Sequence, residues 1–265
     1  MKTLHQTALC AALLLCLPVR ASMDEVKELR KSADKGSAMA QYNLGMYYYT
    51  GHGVGKDATE AVKWLKKAAE QGNATAKFAL GTLYLDGNGM DKDATEAVKW
   101  FRTAAEQGHS GAQINLAWCY ENGTGVDKDT AEAVKWFRKL AEQGDRGAQC
   151  ALGRCYANGT GVDKDAAEGI KWYTKAAEQG DEDAQYFLGL CYEKGHGVDK
   201  DTAEAVKWYT KAAEQGNVEA QYEFGMCYEK GIGVDKDAAQ AVKWYTKAAE
   251  QGNPRARDAL KRLAQ

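Results

Sequence analysis

Residues 205–217 read AVKWYTKAAEQGN, and residues 241–253 repeat the same letters 36 positions later. Within the segment Ala205, Trp208, Ala212 and Ala213 recur at spacings of three and four, which places them on one face of a helix. Working outward, the tryptophan returns at Trp64, Trp100, Trp136, Trp172, Trp208 and Trp244, always 36 residues apart, and the flanking segments align without a gap. Six repeats are predicted, at 37–72, 73–108, 109–144, 145–180, 181–216 and 217–252. In the fifth, Ala184, Leu188 and Tyr192 lie four apart ahead of the tryptophan segment, so each repeat is expected to hold a leading and a trailing helix.

The punctuation has local physical causes. Gly51, Gly87, Gly123, Gly159, Gly195 and Gly231 follow the last turn of each leading helix, where a left-handed residue closes a helix. A second glycine comes two residues later in every repeat. The trailing helix is predicted to open on a capping box, Asp201 with Glu204, matched by Asp57/Glu60, Asp93/Glu96, Asp129/Glu132, Asp165/Glu168 and Asp237/Gln240. Gly189 and the Ala212–Ala213 pair are small enough to let neighbouring helices approach closely, so that hairpins unable to bury their apolar faces alone can stack.

The string Ala184, Leu188, Gly189, Tyr192, Gly195, Gly197, Val198, Asp201, Ala205, Trp208, Ala212, Ala213, Gly216 resembles the Sel-1-like repeat, a relative of the tetratricopeptide repeat, and the resemblance covers about residues 37–252. It implies an all-α, right-handed α-solenoid of six 36-residue helix-turn-helix repeats with terminal capping helices, serving as an adaptor or scaffold for protein complexes. It carries no catalytic residues over, because the repeated positions are packing and turn residues. Segment 23–36 is in register with a trailing helix, with Leu29, Ala33 and Gly36 matching Leu65, Ala69 and Gly72, and is expected to be an N-terminal cap. Segment 253–265, with Pro254 in its first turn, is expected to be a C-terminal capping helix.

Composition narrows the function. The chain has 35 basic and 37 acidic side chains spread throughout, so it carries no electrostatic footprint for nucleic acid or an anionic membrane. Residues 1–22 read as a signal peptide: Lys2, the apolar run ALCAALLLCLPV, and Val19-Arg20-Ala21 ahead of a cut after Ala21 or Ser22. The run is too short for a transmembrane helix, which needs about 20 apolar residues. An exported chain, periplasmic or secreted and monomeric, is expected.

Comparing the six copies separates fixed packing positions from drifting ones. One drifting row of the leading helices reads Met46, Thr82, Trp118, Arg154, Leu190 and Met226; its neighbour reads Asn43, Ala79, Asn115, Ala151, Phe187 and Glu223. In this type of solenoid the leading helices line the concave face. The candidate protein- or peptide-binding residues are therefore Met46, Asn115, Trp118, Arg154, Phe187, Leu190, Glu223 and Met226, a set with the aromatic, arginine and methionine makeup of binding hot spots. The six ladder tryptophans are assigned to the inter-helix core rather than to a stacking platform.

Five cysteines follow the leader. Cys119, Cys155, Cys191 and Cys227 share one register, so successive members should lie about 10 Å apart, beyond the roughly 7 Å a disulfide spans. Free, buried thiols are expected, Cys150 included. Cysteine-rich secreted members of the same family carry paired cysteines in each repeat, and the resemblance links them to penicillin binding or β-lactamase activity; this alternative function finds only one cysteine or none in most repeats here. Ser32-Ala33-Asp34-Lys35 matches S-x-x-K, but no S-D-N or K-T-G accompanies it. His52, His109 and His196 do not approach metal-ligand spacing. No catalytic residue, metal or cofactor is expected.

Overall fold

The computed structural model describes residues 22–264, and the predicted leader, apart from Ser22, lies outside the described residues. Fourteen α-helices and no strand occur among the described residues. The chain divides into two compact units, one ending at Asp127 and one beginning at Lys128, in the loop of the third repeat. The first unit holds α1 (Met23–Asp34), α2 (Ala38–Thr50), α3 (Ala58–Glu70), α4 (Ala74–Asp86), α5 (Ala94–Glu106) and α6 (Ser110–Asn122). The second holds α7 (Thr130–Glu142), α8 (Arg146–Asn158), α9 (Ala166–Glu178), α10 (Glu182–Lys194), α11 (Thr202–Gln215), α12 (Val218–Lys230), α13 (Ala238–Glu250) and α14 (Pro254–Leu263). Even-numbered helices are leading and odd-numbered ones trailing. In each unit every trailing helix packs on the leading helix that follows it, and whole repeats also pack internally, α10 on α11 for example, which is the stacking of an α-solenoid. Helices α1 and α14 stand at the ends as the expected caps.

Each leading helix ends as predicted: Gly195 takes φ 71°, and its amide donates to the Cys191 carbonyl, as Gly231 does to Cys227. The second glycine answers a different demand. A Cβ on Gly233 would stand 2.2 Å from the Thr202 carbonyl oxygen, because the loop lies against the start of the preceding trailing helix.

The trailing-helix capping boxes form only in part, which corrects the expectation. Asp201 accepts the Glu204 amide at 2.9 Å, but its own amide already donates to the Tyr192 carbonyl at 2.9 Å. With that donor satisfied, Glu204 turns outward to Lys207 at 2.7 Å. The same exchange occurs at Asp57, Asp93 and Asp165, whose amides go to Tyr48, Tyr84 and Tyr156, and the Asp237 amide likewise goes to Tyr228. A reciprocal box does form at α1, where Ser22 and Glu25 bond each other's backbone.

The core is built from notches. Gly189 sits so close to α11 that a Cβ there would lie 2.5 Å from the Tyr209 ring, and Gly225 repeats this against Tyr245 at 2.8 Å. Both tyrosines are almost wholly buried, each removal from water contributing about 2 kcal/mol. Their hydroxyls donate to Glu193 and Glu229 at 2.7 and 2.6 Å. Trp64 and Trp244 are buried and the other four ladder tryptophans half-buried. Lysines three residues on cover the Trp172 and Trp208 rings at 4.0 Å. The indole nitrogens of Trp64, Trp100, Trp136, Trp172 and Trp208 are buried without a hydrogen-bond partner. These rings belong to the packing and not to a stacking platform.

A polar ladder that the sequence reading missed ties the repeats together. Gln185 is buried; its amide donates to the Ala177 carbonyl of the preceding trailing helix at 3.1 Å, and its oxygen accepts from Gln215 at 2.7 Å. Gln41, Gln149 and Gln221 repeat both bonds, to Ala33, Ala141 and Ala213 and from Gln71, Gln179 and Gln251. Each glutamine thereby adds a second bond to a helix-end carbonyl that already accepts a backbone amide, and ties that helix end to the next repeat. The trace in the sequence was its recurrence after the first alanine of nearly every leading helix; Lys77 interrupts it in the second repeat.

Candidate functional site

In the first unit, Asn115 and Trp118 lie three apart on α6, and both are half-buried. Met46, on α2, is 5% exposed and packs among Val62, Leu65 and Leu83, so its side chain is spent on the core. It offers no contact surface, and its assignment to the binding row does not stand. The drift of its row from Met46 through Thr82 to Trp118 reflects the changing space beneath that row as well as exposure.

In the second unit, Arg154 on α8 is half-buried and acts electrostatically on Asp183, whose carboxyl is pushed up by burial and held back by a hydrogen bond from Asn217 and the Arg154 charge. Phe187 on α10 stacks on Tyr173 with centroids 5.2 Å apart and flanks Tyr186 at 5.4 Å. Leu190, one turn further along α10, half-covers the core around Val206, Tyr209 and Phe224. Met226 on α12 does the same for the core around Tyr245 and Ala256. Phe187, Leu190 and Met226 are thus partly anchored and partly open.

Glu223 departs from the row. It is 6% exposed and faces Arg255 of α14, whose guanidinium donates to it at 3.3 Å. Burial pushes its carboxyl above the usual range, and the Arg255 charge works against that rise. Glu223 is therefore buried and ion-paired, not an open row position. Around it lie residues that the two-row comparison passed over. Arg255 also pairs with Glu219 and lies 4.4 Å from the centre of the Tyr222 ring. Tyr186 lies close to this group, and burial together with the Glu223 charge pushes its hydroxyl to about 12. The sequence did contain a trace: α12 has Glu219 and Glu223 where other leading helices carry Gly111/Asn115 or Gly147/Ala151.

The five cysteines are free thiols. Burial pushes Cys119 and Cys227 to about 12, and Cys150 higher still with Asp181 and Asp183 nearby. Thiols so far from ionisation are poor nucleophiles. Ser32 of the S-x-x-K string is half-buried on α1, and Lys35 is that helix's C-cap. Among the described residues no cluster of three or more His, Cys, Asp or Glu could hold a metal, and no helix is long and apolar enough to cross a membrane.

Comparison with known proteins agrees with this geometry. The profile of the Sel1 repeat matches residues 38–73, 74–109, 110–145, 147–181, 182–217 and 218–253. A protective antigen of uropathogenic Escherichia coli with an SLR fold is 40% identical over 89% of this chain, with a TM-score of 0.85. This chain spans 50% of that antigen's length. A Sel1 repeat protein from Oxalobacter formigenes is 37% identical, with a TM-score of 0.75, over 85% of this chain and 90% of its own. No curated protein matches the chain. With six consecutive copies of the repeat and this helical stacking, the chain belongs to the Sel1 repeat family.

Proposed function

We propose that this chain is an exported scaffold that binds a protein or peptide along its leading helices and performs no chemistry itself. The observation that carries the reading is the split between fixed and drifting positions. Leu188, Gly189 and Tyr209 are consumed by packing, whereas Trp118, Arg154, Phe187, Leu190 and Met226 keep part of their surface open and differ from copy to copy. Half-buried aromatic and arginine side chains, held by a rigid core beneath, lose little entropy on binding and dominate interface energies. Sel1 repeat proteins are interaction scaffolds in general, which supports the class of function. Export rests on the leader reading alone: the amino terminus of the chain purified from its host is expected to begin at Ser22 or Met23, and an intact Met1 would refute export.

The test of the surface is affinity capture under native conditions with the wild-type chain and with Trp118→Ala/Arg154→Ala, the fold of both verified by circular dichroism. A hot-spot pair contributes about 2 kcal/mol or more per residue, so the double variant is expected to lose the captured partner. Retention of every captured species at wild-type levels would overturn the reading.

A further inference from the structure

The C-terminal repeats hold a guanidinium in a cage of four side chains. Glu223, the most deeply placed, is a carboxylate with 8% of its side chain exposed, a placement that is unfavourable unless a cation and hydrogen bonds compensate. Arg255 supplies them: one nitrogen donates to Glu223 at 3.3 Å, the other pairs with Glu219, and the plane lies 4.4 Å from the Tyr222 ring centre, with Tyr186 close by. Two carboxylates in a fork together with an aromatic face match a planar, delocalised cation and not a compact ammonium. The acidic residues alone would mark nothing. The bound guanidinium is the second observation, and it shows which chemical group the cage accepts.

Two features make the resident exchangeable. The Arg255 side chain is 50% exposed, so the cage is open to solvent on the guanidinium side. Arg255 also sits in the first turn of α14, directly after Pro254, on a helix whose buried residues are only Ala256 and Ala259. Rotating its side chain out disturbs no packed layer. Phe187 lies 5.4 Å from the Tyr186 ring, and Met226 packs on the same core as Tyr222, so the cage adjoins two of the open leading-helix residues.

We propose that Glu219, Glu223, Tyr186 and Tyr222 form an arginine-recognition cage for the partner peptide, with Arg255 as an internal competitor that the partner's arginine displaces. The proposal rests on the scaffold reading and names the chemistry of its partner. A tethered competitor lowers apparent affinity by the fraction of time the cage is vacant, and removing it is expected to raise affinity at least tenfold.

The experiment titrates the full chain with N-acetyl-arginine amide and, separately, with N-acetyl-lysine amide, following the Tyr186 and Tyr222 ring resonances by NMR. Arg255→Ala is expected to bind the arginine compound at least tenfold more tightly than wild type does, with lysine clearly weaker, and the further change Glu223→Gln is expected to abolish the binding. Arg255→Met, which keeps the aliphatic stem over Tyr222, serves the same comparison if the alanine variant does not fold. Absence of saturable binding in the Arg255 variants, equal binding of lysine, or indifference to Glu223→Gln overturns the cage. Because the titration uses no partner protein, such a failure leaves the Trp118/Arg154 capture result untouched, and loss of the capture effect does not mimic failure of the cage.

Discussion

The segments 205–217 and 241–253 have identical letters and different surroundings, so what they share is local and what separates them is imposed by neighbours. Tyr209 and Tyr245 are both buried in a glycine notch with a glutamate on the hydroxyl, and Gln215 and Gln251 both bond the glutamine ladder. Val206 and Val242 part company, at 8% and 40% exposure. Val206 lies beneath the loop of the following repeat, where a Cβ on Gly233 would touch it at 3.0 Å and Ile232 and Val234 pack nearby. Pro254–Leu263 forms α14 and brings no such loop over Val242. Part of what makes this sequence stable is therefore not in the sequence segment but in the repeat that lies on it, as nearest-neighbour coupling in repeat proteins requires.

The largest expected effect comes from breaking what the two copies share. Gly189→Val would place side-chain atoms inside the Tyr209 ring, and the neighbour is a buried aromatic that cannot swing away. A loss of about 3 kcal/mol in unfolding free energy by urea denaturation is expected. Lys261, in the same register of α14, has 78% of its side chain exposed, and Lys261→Val should change stability by less than about 0.5 kcal/mol. Equal effects at the two positions would refute the notch account.

Next comes the position where the copies differ. Val206→Ala removes two buried methyl groups and leaves a space under a loop, a loss of about 2 kcal/mol. Val242→Ala should fall within about 0.5 kcal/mol of wild type. Comparable losses at both sites would mean that the covering loop contributes nothing.

The same contrast explains which features could be read from letters. The 36-residue tryptophan period, the glycine stops and the small notch residues are written in every copy because each serves a contact that every copy makes. The capping boxes were legible only by half: Asp201 is a local signal, but the fate of its amide depends on the Tyr192 carbonyl arriving from the previous helix. Met46 and Glu223 drift like surface residues, yet one fills a core and the other meets Arg255, 32 residues away. A row that varies between copies is compatible with exposure and equally with a pocket whose shape varies, and letters alone do not separate these. The Gln185 ladder could have been found, because a polar residue that recurs at one register beside core alanines has a reason to be there.

That ladder yields a smaller effect, this time a gain. In the second repeat Lys77 replaces the glutamine, and its ammonium reaches the Gln107 side-chain oxygen at 3.3 Å. Lys77→Gln is expected to donate to the Ala69 carbonyl and accept from Gln107 as its counterparts do, adding about 1 kcal/mol. A drop in thermal midpoint would show that the second repeat is spaced differently from the others.

The smallest effect concerns the last letter of the duplicated segment. Asn217 and Asn253 cap the helices that follow them, each accepting an amide three residues on. In the third repeat that letter is His109, whose Nδ1 accepts the Ala112 amide at 3.2 Å while its ring stacks on Phe78 with centroids 4.6 Å apart. A cap of this kind works only while Nδ1 is unprotonated. Burial lowers the His109 pKa from its ordinary 6.5, so the folded chain binds fewer protons at this site than the unfolded chain does. Its contribution is complete above the unfolded value and is lost as pH falls from 6.5 through the lowered folded value. An asparagine has no such dependence. The fall in unfolding free energy between neutral and mildly acidic pH should therefore be smaller in His109→Asn than in wild type, by at most about 1 kcal/mol, the worth of one N-cap. Identical pH dependence in the two chains would mean that His109 caps α6 equally well in its charged form, and that the asparagine of the repeated segment is there for some reason other than its amide oxygen.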